Sequence, residues 1–254
     1  MKRFLTTLRT RNPLLYYFGW LNLLGALVCG IMIFVNDVQV LGINAWIKPM
    51  KFFVSIAIFS WTMGWYLAYL KRPVAANAYS IMVILVLTFE MAVIVWQAAN
   101  GRLSHFNIST PLYSLLFQLM GIAITILGVW TAYICYLFFR LKAIDLSPAY
   151  LWGIRLGILF FVIFSFEGAI MAAQLRHTVG APDGSPGLPV VNWSRQYGDL
   201  RIAHFVGMHA LQVLPLAGYF IFRRLPGLIL FSVLYFALAL GMTIMALKGI
   251  PLIP

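Results

Sequence analysis

Polar residues break this chain only at intervals, and the apolar runs between them are continuous rather than alternating. Seven such runs stand out, at about 14–35, 49–70, 74–99, 111–139, 149–175, 200–222 and 227–247. Each is near or above the roughly 20 residues a helix needs to cross a bilayer. Membrane strands would alternate apolar and polar positions, so the runs read as helices rather than strands. The breaks carry turn chemistry. Lys71-Arg72-Pro73 and Arg223-Arg224-Leu225-Pro226 read as tight turns. Thr110-Pro111 reads as a cap and first helical position, and Asp199 as the cap of the sixth span. Asn36 to Ile47 reads as a loop and residues 1–13 as a short basic tail. Residues 176–198, rich in Gly and Pro, form the longest loop. The pattern predicts an all-α polytopic membrane bundle of seven transmembrane helices in one transmembrane domain, 1–254.

Two acids sit deep inside these runs. Glu90 and Glu167 lie in related contexts, Thr88-Phe89-Glu90-Met91-Ala92 and Ser165-Phe166-Glu167-Gly168-Ala169, 77 residues apart. Gln97 and Gln174 each follow seven residues later. Seven residues turn a helix through about 700°, so each Glu and Gln would share a face two turns apart. The match predicts a partial internal parallel repeat of spans 3–4 and 5–6. His105-Phe106 and His204-Phe205 extend it weakly. A carboxylate in hydrocarbon costs roughly 2.5–3.5 kcal/mol on insertion scales. Accepting that cost twice, in matched settings, points to use. The bland reading is an acid that glues helices by a hydrogen bond.

Composition agrees with the pattern. The chain is 63% hydrophobic and 9% charged, far below the charge of a soluble domain. Its net charge of +12 comes from basic residues dispersed among the span ends, which reads as topology signals and anionic-lipid contact, not nucleic-acid binding. Cys29 and Cys135 both fall inside spans, near opposite faces, and read as core residues. With the N-terminus inside, the inner segments hold ten Lys and Arg and the outer segments seven. That bias places the N-terminus in the cytoplasm and the C-terminus outside it.

On this topology His105, His177, His204 and His209 all fall toward the outer side, with Gln97, Gln174, Lys48 and Lys51, while the inner halves of the spans are nearly bare of polar groups. His105, His204 and His209 are the candidate metal ligands, Glu90 and Glu167 the candidate catalytic acids. Lys48, Lys51, Gln97 and Gln174 are the candidate substrate-binding groups. His204 and His209 stand about 140° apart on a helix, so one regular helix does not aim both at one ion. His177, beside Arg176 in the long loop, reads as solvated.

The stretches Trp46-Ile47-Lys48-Pro49-Met50-Lys51-Phe52, Ser104-His105-Phe106-Asn107 and Gly198-Asp199-Leu200-Arg201-Ile202-Ala203-His204-Phe205 resemble an uncharacterised family of bacterial multi-pass membrane proteins. The resemblance implies a bacterial inner membrane and brings no activity with it. Two seven-span classes do not fit. A rhodopsin needs a lysine inside the last span, and Lys248 lies past its apolar part. The membrane zinc hydrolases need a His-x-x-x-His near that span. Three functions follow. The first is a metal ion (Fe, Cu or Zn) or haem bound by His and Glu for chemistry on a membrane-soluble molecule, with Lys48 or Lys51 holding an anionic end. The second is a proton- or cation-coupled transporter that uses Glu90 and Glu167. The third is a non-catalytic scaffold.

Overall fold

A computed structural model describes residues 2–141 and 145–253. Lys142, one of the basic residues counted on the inner side, lies outside the described residues. The helices are α1 Lys2–Arg11, α2 Pro13–Val35, α3 Ile47–Leu67, α4 Pro73–Ala99, α5 Pro111–Arg140, α6 Pro148–Ser165, α7 Glu167–Ala173, α8 Leu200–Phe220 and α9 Leu225–Leu247. A 3-10 turn, Ala68–Leu70, extends α3. Among the described residues seven spans are long and apolar enough to cross a membrane, with α6 and α7 together making one of them. Their outward faces are apolar: α2, for example, exposes Leu21, Leu24, Leu27, Ile31 and Phe34. Lipid is the solvent that such faces require. The chain is an all-α, multi-pass membrane protein.

By internal packing it forms two compact units, Met1–Leu127 and Gly128–Pro254, with the boundary inside α5. In the first unit α2 lies along α3, and α4 packs against both. Lys71 takes a left-handed φ of 52° and Pro73 opens α4, which makes the expected tight turn. The expected loop 36–47 contains a two-residue hairpin, β1 Gln39–Val40 with β2 Ile43–Asn44. Its turn, Leu41-Gly42, has positive φ at both positions, 51° and 76°, the geometry that matches strand twist. Residues 2–11 are not a tail. They form α1, which packs on α2 and α3, with Leu8 fully buried. Arg11 lies 4.0 Å from the Trp65 ring centroid and 4.7 Å from that of Tyr69. Asn12 then caps α2, its Oδ1 accepting from the Leu15 N–H at 3.0 Å while its Nδ2 donates to Ser80 Oγ on α4 at 2.8 Å.

The second unit is built on the pair α6 and α8, the most extensive helix contact in the chain. Two glycines four apart, Gly153 and Gly157, let the backbones meet. A β-carbon on Gly157 would stand 2.8 Å from the Ala210 carbonyl oxygen, and one on Gly153 would stand 2.7 Å from that of Leu214. Small residues at this spacing are how membrane helices gain close packing without a hydrophobic drive between them. α9 completes the triad. Arg155, in α6, is explained by the end of α5: its Nε and Nη2 donate to the carbonyls of Phe138 and Leu141 at 3.0 and 2.8 Å. A cation there satisfies orphan carbonyls at a helix C-terminus. We expect Gly157→Leu to cost about 1–3 kcal/mol or more, as overpacking does. Gly121→Leu, where nothing lies within 4 Å, serves as its control. Detergent melting curves that drop for Gly157→Leu and not for Gly121→Leu are the expected result, and equal curves would contradict it.

The hairpins expected to repeat pack differently. α6 and α8 are in intimate contact, whereas α4 and α5 make little contact. The two Glu-bearing helices also differ: α4 runs unbroken past Glu90, but the chain breaks at Phe166, just before Glu167.

Candidate functional sites

In the first unit Glu90 sits on the buried side of α4, 6% exposed. Among the described residues its Oε1 has no hydrogen-bond partner, and neither does Gln97 Oε1 two turns on. Gln97 stays in the same unbroken helix and is 1% exposed, so the shared face expected of this pair is real. Trp46 Nε1, just before α3, is likewise buried with no hydrogen-bond partner among the described residues. Lys48 stands in the first turn of α3. Its Nζ lies 5.9 Å from the Phe52 ring centroid. The Phe52 ring is 5.7 Å from that of His105, whose Nδ1 is 3.0 Å from Ser104 Oγ. Lys48, Phe52, His105 and Ser104 therefore form a chain of contacts on one end of this unit. Lys51, one turn after Lys48, is half-buried.

In the second unit the break at Phe166 organises the site. The Phe166 N–H turns back to the Ile163 carbonyl at 3.2 Å, a tight turn that ends α6. His204 Nδ1 lies 2.8 Å from the Phe164 carbonyl oxygen. A carbonyl only accepts, so Nδ1 carries the proton, and neutral His204 keeps its lone pair on Nε2. Glu167 opens α7 and is 5% exposed. Its Oε1 is hydrogen-bonded to Thr243 Oγ1 of α9, and its Oε2 has no hydrogen-bond partner among the described residues. Thr243 Oγ1 also lies 3.1 Å from the Ala239 carbonyl. One hydroxyl proton cannot serve both oxygens. With Glu167 ionised, the hydroxyl donates to the carboxylate. With Glu167 protonated, the acid donates to Oγ1 and the hydroxyl turns to Ala239. Thr243 thus offers a partner to both states of the acid.

Gln174 lies one residue past the end of α7, still in the right-handed helical region at φ −92° and ψ −2°. α7 ends at Ala173, and Gln174 caps it, with Nε2 donating to the Arg176 carbonyl at 3.0 Å. His209 is occupied on its own helix, its Nδ1 2.7 Å from the Phe205 carbonyl. Among the described residues no three His, Cys, Asp or Glu side chains gather as a metal site requires. Of the expected ligands, His105, His204 and His209 place Nδ1 against Ser104 Oγ and the carbonyl oxygens of Phe164 and Phe205 in turn. Cys29 and Cys135 are buried and free, as their placement in spans suggests.

Sequence reasoning missed the order in the long loop. His177 is not simply solvated: its Nδ1 stands 2.5 Å from Asp183 Oδ2. Asp183 also accepts from the backbone N–H groups of His177 and Thr178 and from Thr178 Oγ1, at 3.0–3.1 Å. Burial alone would raise its carboxyl, but the hydrogen bonds and the charge offered by His177 win and hold it well below the usual carboxylate range. β3 Thr178–Val179 pairs with β4 Gly198–Asp199 and closes the loop. A folded-state value lowered in this way stabilises the loop above the unfolded carboxyl value and is lost as pH falls through the folded one. The loop should hold down to about pH 4 and loosen below it. Trp193 fluorescence against pH checks this, and Asp183→Asn should remove the acid step. A step that survives Asp183→Asn refutes the assignment.

No protein-family model, no curated protein and no solved structure matches this chain.

Proposed function

We propose that this protein is a proton-coupled transporter of the bacterial inner membrane, with its N-terminus cytoplasmic and its C-terminus outside, in which Glu90 and Glu167 load and release protons. One observation carries the reading. Each compact unit buries an acid inside a membrane span, and each acid keeps one oxygen without a hydrogen-bond partner among the described residues. An acid meant only to glue helices would have both oxygens used, since an unsatisfied polar atom there is expensive. Thr243, with a partner to offer either protonation state, supports the same reading. A metal or haem reading finds no gathered set of His, Cys, Asp or Glu donors among the described residues to support it. The more basic inner segments support the orientation.

The test is proton movement into vesicles of phosphatidylethanolamine and phosphatidylglycerol that hold the purified protein and a trapped pH dye. Flux that depends on Glu90 and on Glu167 is expected. Flux that is absent, or unchanged in Glu90→Gln and Glu167→Gln, overturns the reading.

A further inference from the structure

The first unit gathers cations at the end where α2 begins, α3 ends and α4 begins. Arg3 and Arg9 of α1 and Lys71 and Arg72 of the α3–α4 turn are exposed there, and Arg11 is half-buried. No acid of this unit stands near them. Through Leu127 the sequence contains only Asp37 and Glu90. Asp37 lies past the far end of α2, a helix of 23 residues and so roughly 34 Å long. Glu90 lies about 25 Å along α4 from its start. The unit has no counter-charge of its own for this end. Two aromatic rings orient Arg11, whose Cζ lies 4.0 Å from the Trp65 ring centroid and 4.7 Å from that of Tyr69. Trp65 Nε1 donates to the Tyr69 hydroxyl at 3.1 Å, and Phe4 of α1 stacks on Trp65 at 4.9 Å. Cation–π contact holds a guanidinium but supplies no acceptor oxygen. Arg11 Nη1 is buried with no hydrogen-bond partner among the described residues. An unpaired N–H on a charged group is costly, and phosphate is an acceptor that the planar fork fits. Arg9 Cζ lies 5.8 Å from the Tyr17 ring centroid. From Tyr17 an exposed apolar ridge runs along α2 through Leu21, Leu24, Val28 and Ile31. Steps of four, three, four and three keep these residues on one helix face.

We propose that Arg9 and Arg11 bind the phosphate of an anionic phospholipid whose acyl chain lies along the Tyr17–Ile31 ridge, so that α1 is a headgroup-binding helix. The inference is independent of the transport reading. Three features choose this occupant. The cations stand level with the ends of three spans, where a bilayer keeps its headgroups. Their excess selects a headgroup of net negative charge over a zwitterionic one, because a choline ammonium would add a further cation beside Arg3, Lys71 and Arg72. The ridge selects a lipid over free phosphate, because only a lipid has a chain to lay on it. The site is also held ready. α1 packs on α2 and α3, Leu8 is fully buried, and a β-carbon on Gly64 of α3 would stand 3.3 Å from Leu8 Cδ1. A cation ordered in advance loses less freedom when its partner arrives.

The test uses the full-length protein in a neutral detergent, titrated with phosphatidylglycerol, phosphatidylcholine or sodium phosphate and read by native mass spectrometry. Phosphatidylglycerol should be retained, and more tightly than phosphatidylcholine. Arg11→Gln should weaken that retention about tenfold or more, the scale of a hydrogen bond to a charged group. Arg223→Gln is the control, since it removes a cation from the turn of the second unit and should leave retention within about twofold. Equal losses in Arg11→Gln and Arg223→Gln mean diffuse surface charge and overturn the site. Sodium phosphate held as tightly as phosphatidylglycerol overturns the choice of a lipid. Melting in the same detergent is the second readout, because a ligand of the folded state raises the midpoint. Phosphatidylglycerol should raise the midpoint of the unmodified chain, and the rise should shrink in Arg11→Gln. Arg9→Gln changes an exposed side chain, so it makes the same comparison if Arg11→Gln does not fold. A lower midpoint in Arg11→Gln, or in Arg9→Gln, with normal lipid retention shows a purely structural arginine and overturns the proposal.

Discussion

Glu167→Gln will leave the protein folded and lower proton flux by on the order of a hundredfold, the upper scale for a positioned proton carrier. Glutamine has the shape of the neutral acid. Its amide can donate to Thr243 Oγ1, so the contact between α7 and α9 survives, and melting in detergent should barely move. What glutamine lacks is a titrating oxygen. The effect therefore separates carriage from glue: a structural acid would show the reverse, normal flux and a lower melting point. Thr243→Val adds a second arm. It removes the hydroxyl that serves Glu167 and Ala239 in turn. It should slow flux while Glu167 itself remains. Glu90→Gln should give a comparable loss, because Glu90 too has a carboxyl oxygen without a hydrogen-bond partner among the described residues. Normal flux in all three variants would leave no role for either acid.

Asp199→Ala will destabilise the second unit by about 3–5 kcal/mol, the usual result of removing one partner of a buried ion pair. Asp199 is fully buried. Its Oδ1 accepts from the N–H and Nε of Arg201 at 3.0 and 2.9 Å, and its Oδ2 accepts from Ser194 N–H at 2.8 Å and Arg201 Nη2 at 2.6 Å. One carboxylate thus caps α8, holds a guanidinium and closes the loop. Arg201 Nη2 also donates to the Asn192 carbonyl at 2.5 Å, so the same cation stitches the loop in a second place. Alanine leaves a cation that is three-quarters buried without its counter-charge. Protease cutting within 180–196 and an earlier Trp193 fluorescence transition are the expected signs. Melting and cutting like those of the unmodified chain would show that the pair contributes little.

The seven spans were legible because their apolar runs are long and their ends carry Pro, Thr110 and Asp199. These are local signals, and the caps behave as local chemistry dictates: Thr110 Oγ1 accepts from Tyr113 N–H at 3.2 Å. Glu90 and Glu167 were legible because an acid in an apolar run has no cheap explanation. α1 was not, because Leu8 and Arg11 are meaningful only against Gly64, Trp65 and Tyr69 of another helix. The break at Phe166 was hidden too. Ser-Phe-Glu-Gly reads as helix in isolation, and what marks the bend is His204, forty positions away, on the Phe164 carbonyl. Thr243, the partner of Glu167, is 76 positions away and looks like any threonine in a span. The close α6–α8 contact did leave a trace, since Gly153 and Gly157 stand four apart in an apolar segment. Small residues at that spacing are the signal that finds such a contact.

The α6–α8 pairing also sets an order of events at synthesis. α6 enters the bilayer with its glycine face bare, and its partner is not made until the long loop has been translated. From Gln174 to Phe220 is forty-seven residues, roughly 2–9 s of elongation at about 5–20 residues per second. For those seconds the glycine stripe is open to any neighbouring helix with small side chains, so the length of the loop fixes how long α6 waits unchaperoned by its own chain.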